Sequence, residues 1–187
     1  KAIYTREWTW RRAELAGEVG GDDTDRITDH LPKIDPAAQK ARLDYWTGVM
    51  AEVSRIDPAT LSPEARINHQ IYREQIQVLI NQQKFRDYEK PLNGDSAFWS
   101  DLTSESRESF RDVAEYERYI RQMRDFPRYF HDQVANMRAG LKRGFTPPAI
   151  VLKGRDASIA SVSGAAGEAR WNECFLWQFT QFIVSWT

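Results

Sequence analysis

Histidines are the first residues to test for chemistry, because histidine is the commonest ligand of catalytic metals. A zinc hydrolase motif needs two histidines four residues apart, a glutamate between them and a third ligand elsewhere. His30, His69 and His131 are far apart, none precedes a Glu, and none has a second His at i+4. The complete motif is therefore absent. His131 and Asp132 leave one alternative open, a metal site completed by a carboxylate of a neighbouring helix, but we favour a surface or core-edge histidine.

An acidic cluster follows two glycines near the start of the chain, at Asp22, Asp23, Asp25 and Asp29. A calcium loop of the EF-hand type needs alternating oxygen ligands, a central glycine and a glutamate at its twelfth position. Asp23 and Asp25 begin that pattern, but position 28 is Thr and the glycines precede the cluster. A solvated loop is the favoured interpretation.

Nucleophile and phosphate motifs are also missing. The sequence contains no G-x-x-x-x-G-K-[ST] and no G-x-S-x-G, which excludes a P-loop and a nucleophile elbow. Cys174 has no nearby histidine and lies among aromatic residues, so we expect a small core residue rather than a nucleophile. The residues themselves therefore predict no catalytic, cofactor-binding or metal-ligating side chain in this chain.

Four arginines fall at helical spacing among acidic residues: Arg118, Arg121, Arg124 and Arg128. Mixed signs at such spacing are typical of a solvated, salt-bridged helix face. A site for an acidic ligand is the alternative.

Composition narrows the class of protein. The 187 residues are 41% hydrophobic and carry 26 basic against 27 acidic side chains, which suits one core-bearing domain. The formal charge of −1 argues against a nucleic-acid-binding protein. No run of about 18 apolar residues is present, so we expect no membrane span. A single cysteine excludes an intrachain disulfide and leaves the compartment open.

The dominant periodicity is helical. Asp35-Pro36 predicts the start of a helix that Asp57-Pro58 closes. Ser62-Pro63 predicts a second helix to about Phe85. Its expected core face carries apolar residues at Ile67, Ile71, Ile76, Val78 and Leu79.

Further helices are predicted after a turn-rich segment at 87–106. One runs over about 110–124, and the next begins after Asp125, with Pro127 in its first turn and Gly144 as its left-handed cap. Another is favoured over 149–162, with a short strand at 150–152 as the alternative. The last residues, 168–187, are rich in Trp and Phe and predict either a C-terminal core helix or an oligomerisation surface.

Several segments resemble a bacterial family called domain of unknown function 885. The similarity spans roughly residues 4–161 and is most specific between Tyr119 and Pro148. The other segments that carry it are His30–Gln39, Arg55–Glu64, Phe85–Pro91 and Asp95–Asp101.

The resemblance implies more than the residues show. Members are several hundred residues long and look like helical zinc metallopeptidases, many with an export signal, which suggests a periplasmic or exported location. Their H-E-x-x-H motif lies in the C-terminal half, so zinc is expected only in longer relatives and no ligand is assigned to this chain. In such peptidases the N-terminal helices form a wall of the substrate channel. The residues after about 161 do not follow the family, so we expect a shortened or frame-changed product.

We therefore predict an all-α fold of about six helices, mostly antiparallel, with a helical domain at 1–162 and an aromatic tail at 163–187. The predicted function is the non-catalytic N-terminal portion of a zinc-dependent peptidase-like protein, inactive alone, with peptide substrate as the partner of the longer form. The alternative is a helical interaction module that forms homo-oligomers through residues 168–187.

Overall fold

The structure, a computed structural model, describes residues 2–15, 28–93, 97–99 and 110–154. These residues are all-α, apart from one isolated bridge between Leu92 and Ala97. They fall into two compact units, one ending at Tyr88 and the other beginning at Glu89. The predicted boundary at 162/163 and the aromatic tail lie outside the described residues.

The described residues of the first unit form three α-helices: α1 (Ala2–Glu14), α2 (Pro36–Ser54) and α3 (Pro63–Phe85). A short 3-10 turn, Pro58–Thr60, links α2 to α3. Their shared core consists of five fully buried side chains, Trp46, Val49, Val53, Ile76 and Ile80. Trp46, Val49 and Val53 come from α2, and Ile76 and Ile80 come from α3, so the contact between these two helices forms the buried part of the core.

The helix starts predicted for α2 and α3 are confirmed in atomic detail. The Asp35 carboxylate accepts hydrogen bonds from the backbone N–H groups of Ala37 and Ala38, at 2.8 and 3.0 Å, and Pro36 follows it. The Ser62 hydroxyl accepts from Ala65 N at 3.2 Å. Each cap satisfies N–H groups that have no partner inside the helix.

The core face predicted for α3 is wrong in part. Ile67, Ile71 and Val78 are exposed, whereas Ile76 and Ile80 are buried against α2. At 100° per residue the two sets lie on opposite sides of the helix. The sequence offers two apolar rows, and only contact with α2 selects the buried one.

The second unit is organised around one long helix, α4 (Val113–Lys142), followed by the four-residue helix α5 (Ala149–Leu152). Its apolar cluster comprises Leu92, Ala97, Trp99, Met137 and Leu152. A helix described at 149–152 confirms the favoured helical interpretation there, but residues 155–162 lie outside the described part of the chain.

The two helices predicted around Asp125 are in fact one continuous helix, with Pro127 in its interior. Asp125 does not cap a new helix; its carboxylate pairs with Arg128 at 3.1 Å, and Arg128 also reaches Asp132 at 3.5 Å. Ion pairs on both sides of Pro127, together with burial of Tyr129, hold the helix together where the proline removes one backbone hydrogen bond.

The C-terminal end of α4 is a complete Schellman motif. Phe145 N donates to Gly140 O at 2.9 Å, and Gly144 N donates to Leu141 O at 3.1 Å. Gly144 has a φ of 73°, so the predicted left-handed cap is confirmed.

Candidate functional site

The three histidines are held in separate, local contacts. His30 lies beside Asp29 and His131 beside Asp132, with ring-to-carboxylate distances of 2.7 and 3.4 Å, and both rings are exposed. His69 contacts Val53 O at 3.0 Å, which ties α3 to the end of α2. The carboxylate beside His131 belongs to the next residue of the same helix. Among the described residues, no neighbouring helix supplies a further ligand for the metal site considered there.

No group of three or more His, Cys, Asp or Glu side chains within metal-binding reach occurs among the described residues. Asp22, Asp23 and Asp25 of the acidic cluster, and Cys174, lie outside the described part of the chain. Their roles stay predictions.

The arginine row of α4 makes local ion pairs. Arg121 reaches Glu117 at 4.0 Å, and Arg128 pairs with both Asp125 and Asp132. These contacts match the expected solvated, salt-bridged face.

A row of polar and aromatic side chains along α4 is the candidate functional site. Successive members are separated by four, three, seven, four, three and four residues, so they share one side of the helix. We call this set the polar row: Glu115, Tyr119, Gln122, Tyr129, Gln133, Asn136 and Gly140, all of them buried.

Large apolar side chains at helical spacing lie beside the polar row, and three of them in the first half of α4 are exposed. Val113, Tyr116 and Met123 are exposed, and only further along the helix does Met137 reach the apolar cluster. The first half of α4 thus buries polar side chains such as Gln122 and leaves apolar side chains such as Val113 and Met123 exposed. Sequence reasoning missed the polar row because it searched for apolar periodicity; the same four-and-three spacing in Gln, Asn and Tyr was the available signal.

Gln122 is the most unusual member of the polar row. Its side chain is 2% exposed, and its Oε1 has no hydrogen-bond partner within the described part of the chain. Leaving a buried acceptor unsatisfied costs about 1–3 kcal/mol. Such a group has an unused acceptor that an N–H donor would satisfy on reaching this buried position.

The N-terminal end of the polar row is fixed by a cap. The Asp112 carboxylate accepts from Glu115 N at 2.7 Å, and Glu115 Oε2 accepts in return from Arg111 N at 2.6 Å. These reciprocal bonds resemble a capping box, and the Arg111 guanidinium, with Nε 3.5 Å from Glu115 Oε1, pairs with the buried charge.

The far end of the polar row is fixed by contacts around Gly140. The buried Glu89 carboxylate pairs with Arg143. Two cations lie close to the Phe145 ring, with Arg143 Cζ at 4.3 Å and Lys90 Nζ at 4.5 Å from its centroid. A side chain at Gly140 would collide with backbone oxygens of Glu89 and Phe145.

The first unit contains a separate buried polar cluster that the sequence did not predict. Glu7 is fully buried on α1, where its carboxylate accepts two hydrogen bonds from Arg11, at 2.7 and 2.8 Å, and one from Trp46 Nε1 at 3.0 Å. The buried hydroxyls of Tyr45 and Tyr72 find no hydrogen-bond partner among the described residues. Burial first, and then the Glu7 carboxylate, raise the pKa of Tyr72.

A shallow groove of about 800 Å³ lies along α1. Ala2, Thr5, Arg6, Thr9, Trp10 and Ala13 line it. Its lining is mostly apolar, and the Arg6 guanidinium already pairs with Glu52 at 2.7 Å. This groove therefore lacks the convergent polar groups of a catalytic pocket.

Comparison with known proteins gives one match. The sequence model of a family described as "Bacterial protein of unknown function (DUF885)" matches residues 14–179. The match continues past residue 161, so the expectation that the chain stops following the family there is wrong. No curated protein and no solved structure matches the chain. Among the described helices, none is long and apolar enough to cross a membrane.

Proposed function

Since the chain belongs to the DUF885 family, we propose that it is the non-catalytic N-terminal portion of a zinc-dependent peptidase-like protein and that α4 forms a wall of its substrate channel. The polar row of α4 would contact peptide, and zinc and bond cleavage would come from another part of a longer protein.

The observation that carries this proposal is the unpaired Gln122 carbonyl within the polar row. A primary amide presents one acceptor and two donors, the same hydrogen-bonding groups that a peptide backbone needs. Gln122, Gln133 and Asn136 span 14 positions of one helix, about 21 Å, which is the length of roughly six extended residues. An extended peptide that displaces the side chains covering this buried row would meet these amides in turn, and its N–H would then satisfy Gln122 Oε1.

Peptide binding is the direct test. The probe is a fluorescein-labelled casein digest, titrated with the full chain while fluorescence anisotropy is recorded. We expect saturable binding, weakened at least fivefold by Gln122→Leu, because leucine fills the space but accepts no hydrogen bond. Gln70→Leu, which removes an exposed amide on α3, is the matched control and should bind like the wild type. Absence of binding, or equal binding by the Gln122 variant, contradicts the proposal.

The non-catalytic part of the proposal has its own measurement. The purified chain should hold no stoichiometric zinc by elemental analysis and should leave the labelled casein peptides intact. Bound zinc together with peptide hydrolysis would overturn this part of the proposal, whatever the outcome of the anisotropy titration.

A further inference from the structure

Helix α3 has a second apolar row on the side opposite its buried face. Ile67, Ile71 and Val78 are 61%, 51% and 53% exposed, and Phe85 extends the row to the end of the helix with 67% exposure. Steps of four, seven and seven residues separate them, which is the period of a coiled-coil seam. We call this set the outer row; it runs for about 27 Å along the helix.

Charges at the two ends of the outer row are opposite in sign. Glu64 stands one turn before Ile67, and Lys84 directly precedes Phe85. Both side chains are exposed, and within the described part of the chain neither has an ion-pair partner. Each end of the row therefore presents a charge that the other end could neutralise in an antiparallel arrangement.

We infer that the outer row is a self-association surface, on which α3 of a second copy lies antiparallel about a two-fold axis between Glu74 and Gln75. A two-fold interface must be self-complementary, because each contact occurs twice. This axis sets Ile71 opposite Val78 of the second copy. It also sets Phe85 opposite Glu64 of the second copy, so the neighbouring Lys84 can pair with that glutamate. Because the axis repeats each contact, two such ion pairs form per dimer. The Glu74 residues of the two copies lie close together in either orientation, but a parallel pair would in addition oppose Glu64 to Glu64 and Lys84 to Lys84.

The small size of the outer row favours a weak dimer. The exposed parts of the four side chains amount to roughly 400 Å² per copy, about half of what a standard stable interface contributes. A surface of this size gives a weak and reversible dimer, so association should become visible only at protein concentrations of roughly 10 µM and above.

Sedimentation velocity over a concentration series of the full chain tests the seam. The wild type should shift from monomer towards dimer as concentration rises, and Val78→Glu should abolish the shift, because it places a charge opposite the apolar side chain of Ile71 of the second copy. Ile150→Glu, at a 76% exposed apolar residue of α5, is the matched control and should associate like the wild type. Unchanged association of the Val78 variant, or a wild type that stays monomeric up to about 1 mM, overturns the inference.

A charge exchange tests the antiparallel orientation. Lys84→Glu alone and Glu64→Lys alone should each raise the dimer dissociation constant about fivefold or more, whereas the double variant should recover to within about twofold of the wild type. Circular dichroism of each variant reports whether α3 remains helical. Helical single variants that dimerise normally, or a helical double variant without recovery, would reject the antiparallel arrangement.

Discussion

The Trp46 indole on α2 donates a hydrogen bond from Nε1 to Oε1 of Glu7 on α1, over 3.0 Å and in a fully buried position. The same carboxylate accepts a bidentate pair from Arg11, so three N–H groups depend on one side chain. This contact attaches α1 to the rest of the first unit.

Glu7→Ala should therefore destabilise the chain by about 2–4 kcal/mol, because the Trp46 N–H and the Arg11 guanidinium lose their buried acceptor. The free energy of unfolding from urea titration, followed by tryptophan fluorescence, measures the effect. Glu52→Ala is the control, since it breaks the exposed ion pair with Arg6 and should cost less than about 1 kcal/mol. Equal losses in the two variants would show that the buried network does not hold α1.

Tyr72 should make stability depend on pH in the alkaline range. Burial, and then the Glu7 carboxylate, raise the pKa of Tyr72 above its ordinary value of 10. Above pH 10 the unfolded chain releases this proton while the folded chain keeps it, so the free energy of unfolding falls as pH rises, by at most about 1.4 kcal/mol per pH unit. Below pH 10 the group has no effect, because both states are protonated.

Urea titrations of the wild type and of Tyr72→Phe between pH 8 and pH 11.5 measure this slope. The difference between the two should be flat up to about pH 10, with the wild type losing stability faster beyond it. Tyr4→Phe, at an exposed ring 5.5 Å from Tyr72, is the control and should keep the wild-type slope. A Tyr72 variant with the full wild-type slope contradicts the assignment.

Two glycines inside helices should respond to alanine in opposite directions. A Cβ at Gly140 would lie 2.8 Å from Glu89 O and 2.9 Å from Phe145 O, whereas a Cβ at Gly48 meets nothing within 4 Å. Gly48→Ala should stabilise α2 by up to about 1 kcal/mol, because alanine is the better helix former. Gly140→Ala gains the same propensity but forces backbone apart, so we expect a net loss of about 1–2 kcal/mol. Thermal unfolding of both variants decides, and a stabilised Gly140 variant would contradict the close packing.

Local signals in the sequence predicted the local structure well. Asp35 and Ser62 lie where their side chains cap helices, and Gly144 adopts the left-handed conformation expected of it. In each case the energetics are decided within a few residues of the chain. The helix break expected at Pro127 is the local signal that failed, because ion pairs and packing on both sides outweigh one missing backbone hydrogen bond.

Choices that depend on distant residues could not be predicted. Ile76 and Ile67 belong to equally apolar rows of α3, and only contact with Val49 and Val53 decides which row is buried. Glu7 accepts a hydrogen bond from the Trp46 indole, which is 39 positions away in the sequence. The residues next to Glu7 therefore do not reveal that it is buried. The polar row of α4 has the same origin, since its period is helical but its burial is set by tertiary packing.

Gln122→Leu should raise stability while it weakens peptide binding. Its Oε1 is buried without a hydrogen-bond partner among the described residues, so replacing the amide by a side chain of similar size removes an uncompensated desolvation cost of about 1–3 kcal/mol. If Gln122 served only to stabilise the fold, its replacement by leucine would instead lower the free energy of unfolding. Urea titration measures the stability of this variant, and Gln133→Leu is the matched control. Gln133 is a second buried amide of the polar row, but its amide has no unpaired buried acceptor among the described residues. The comparison separates a general effect of burying leucine from relief of the unpaired acceptor. A Gln122 variant less stable than the wild type would mean that its amide is satisfied in the folded chain, and the argument for a peptide contact at this residue would then fail.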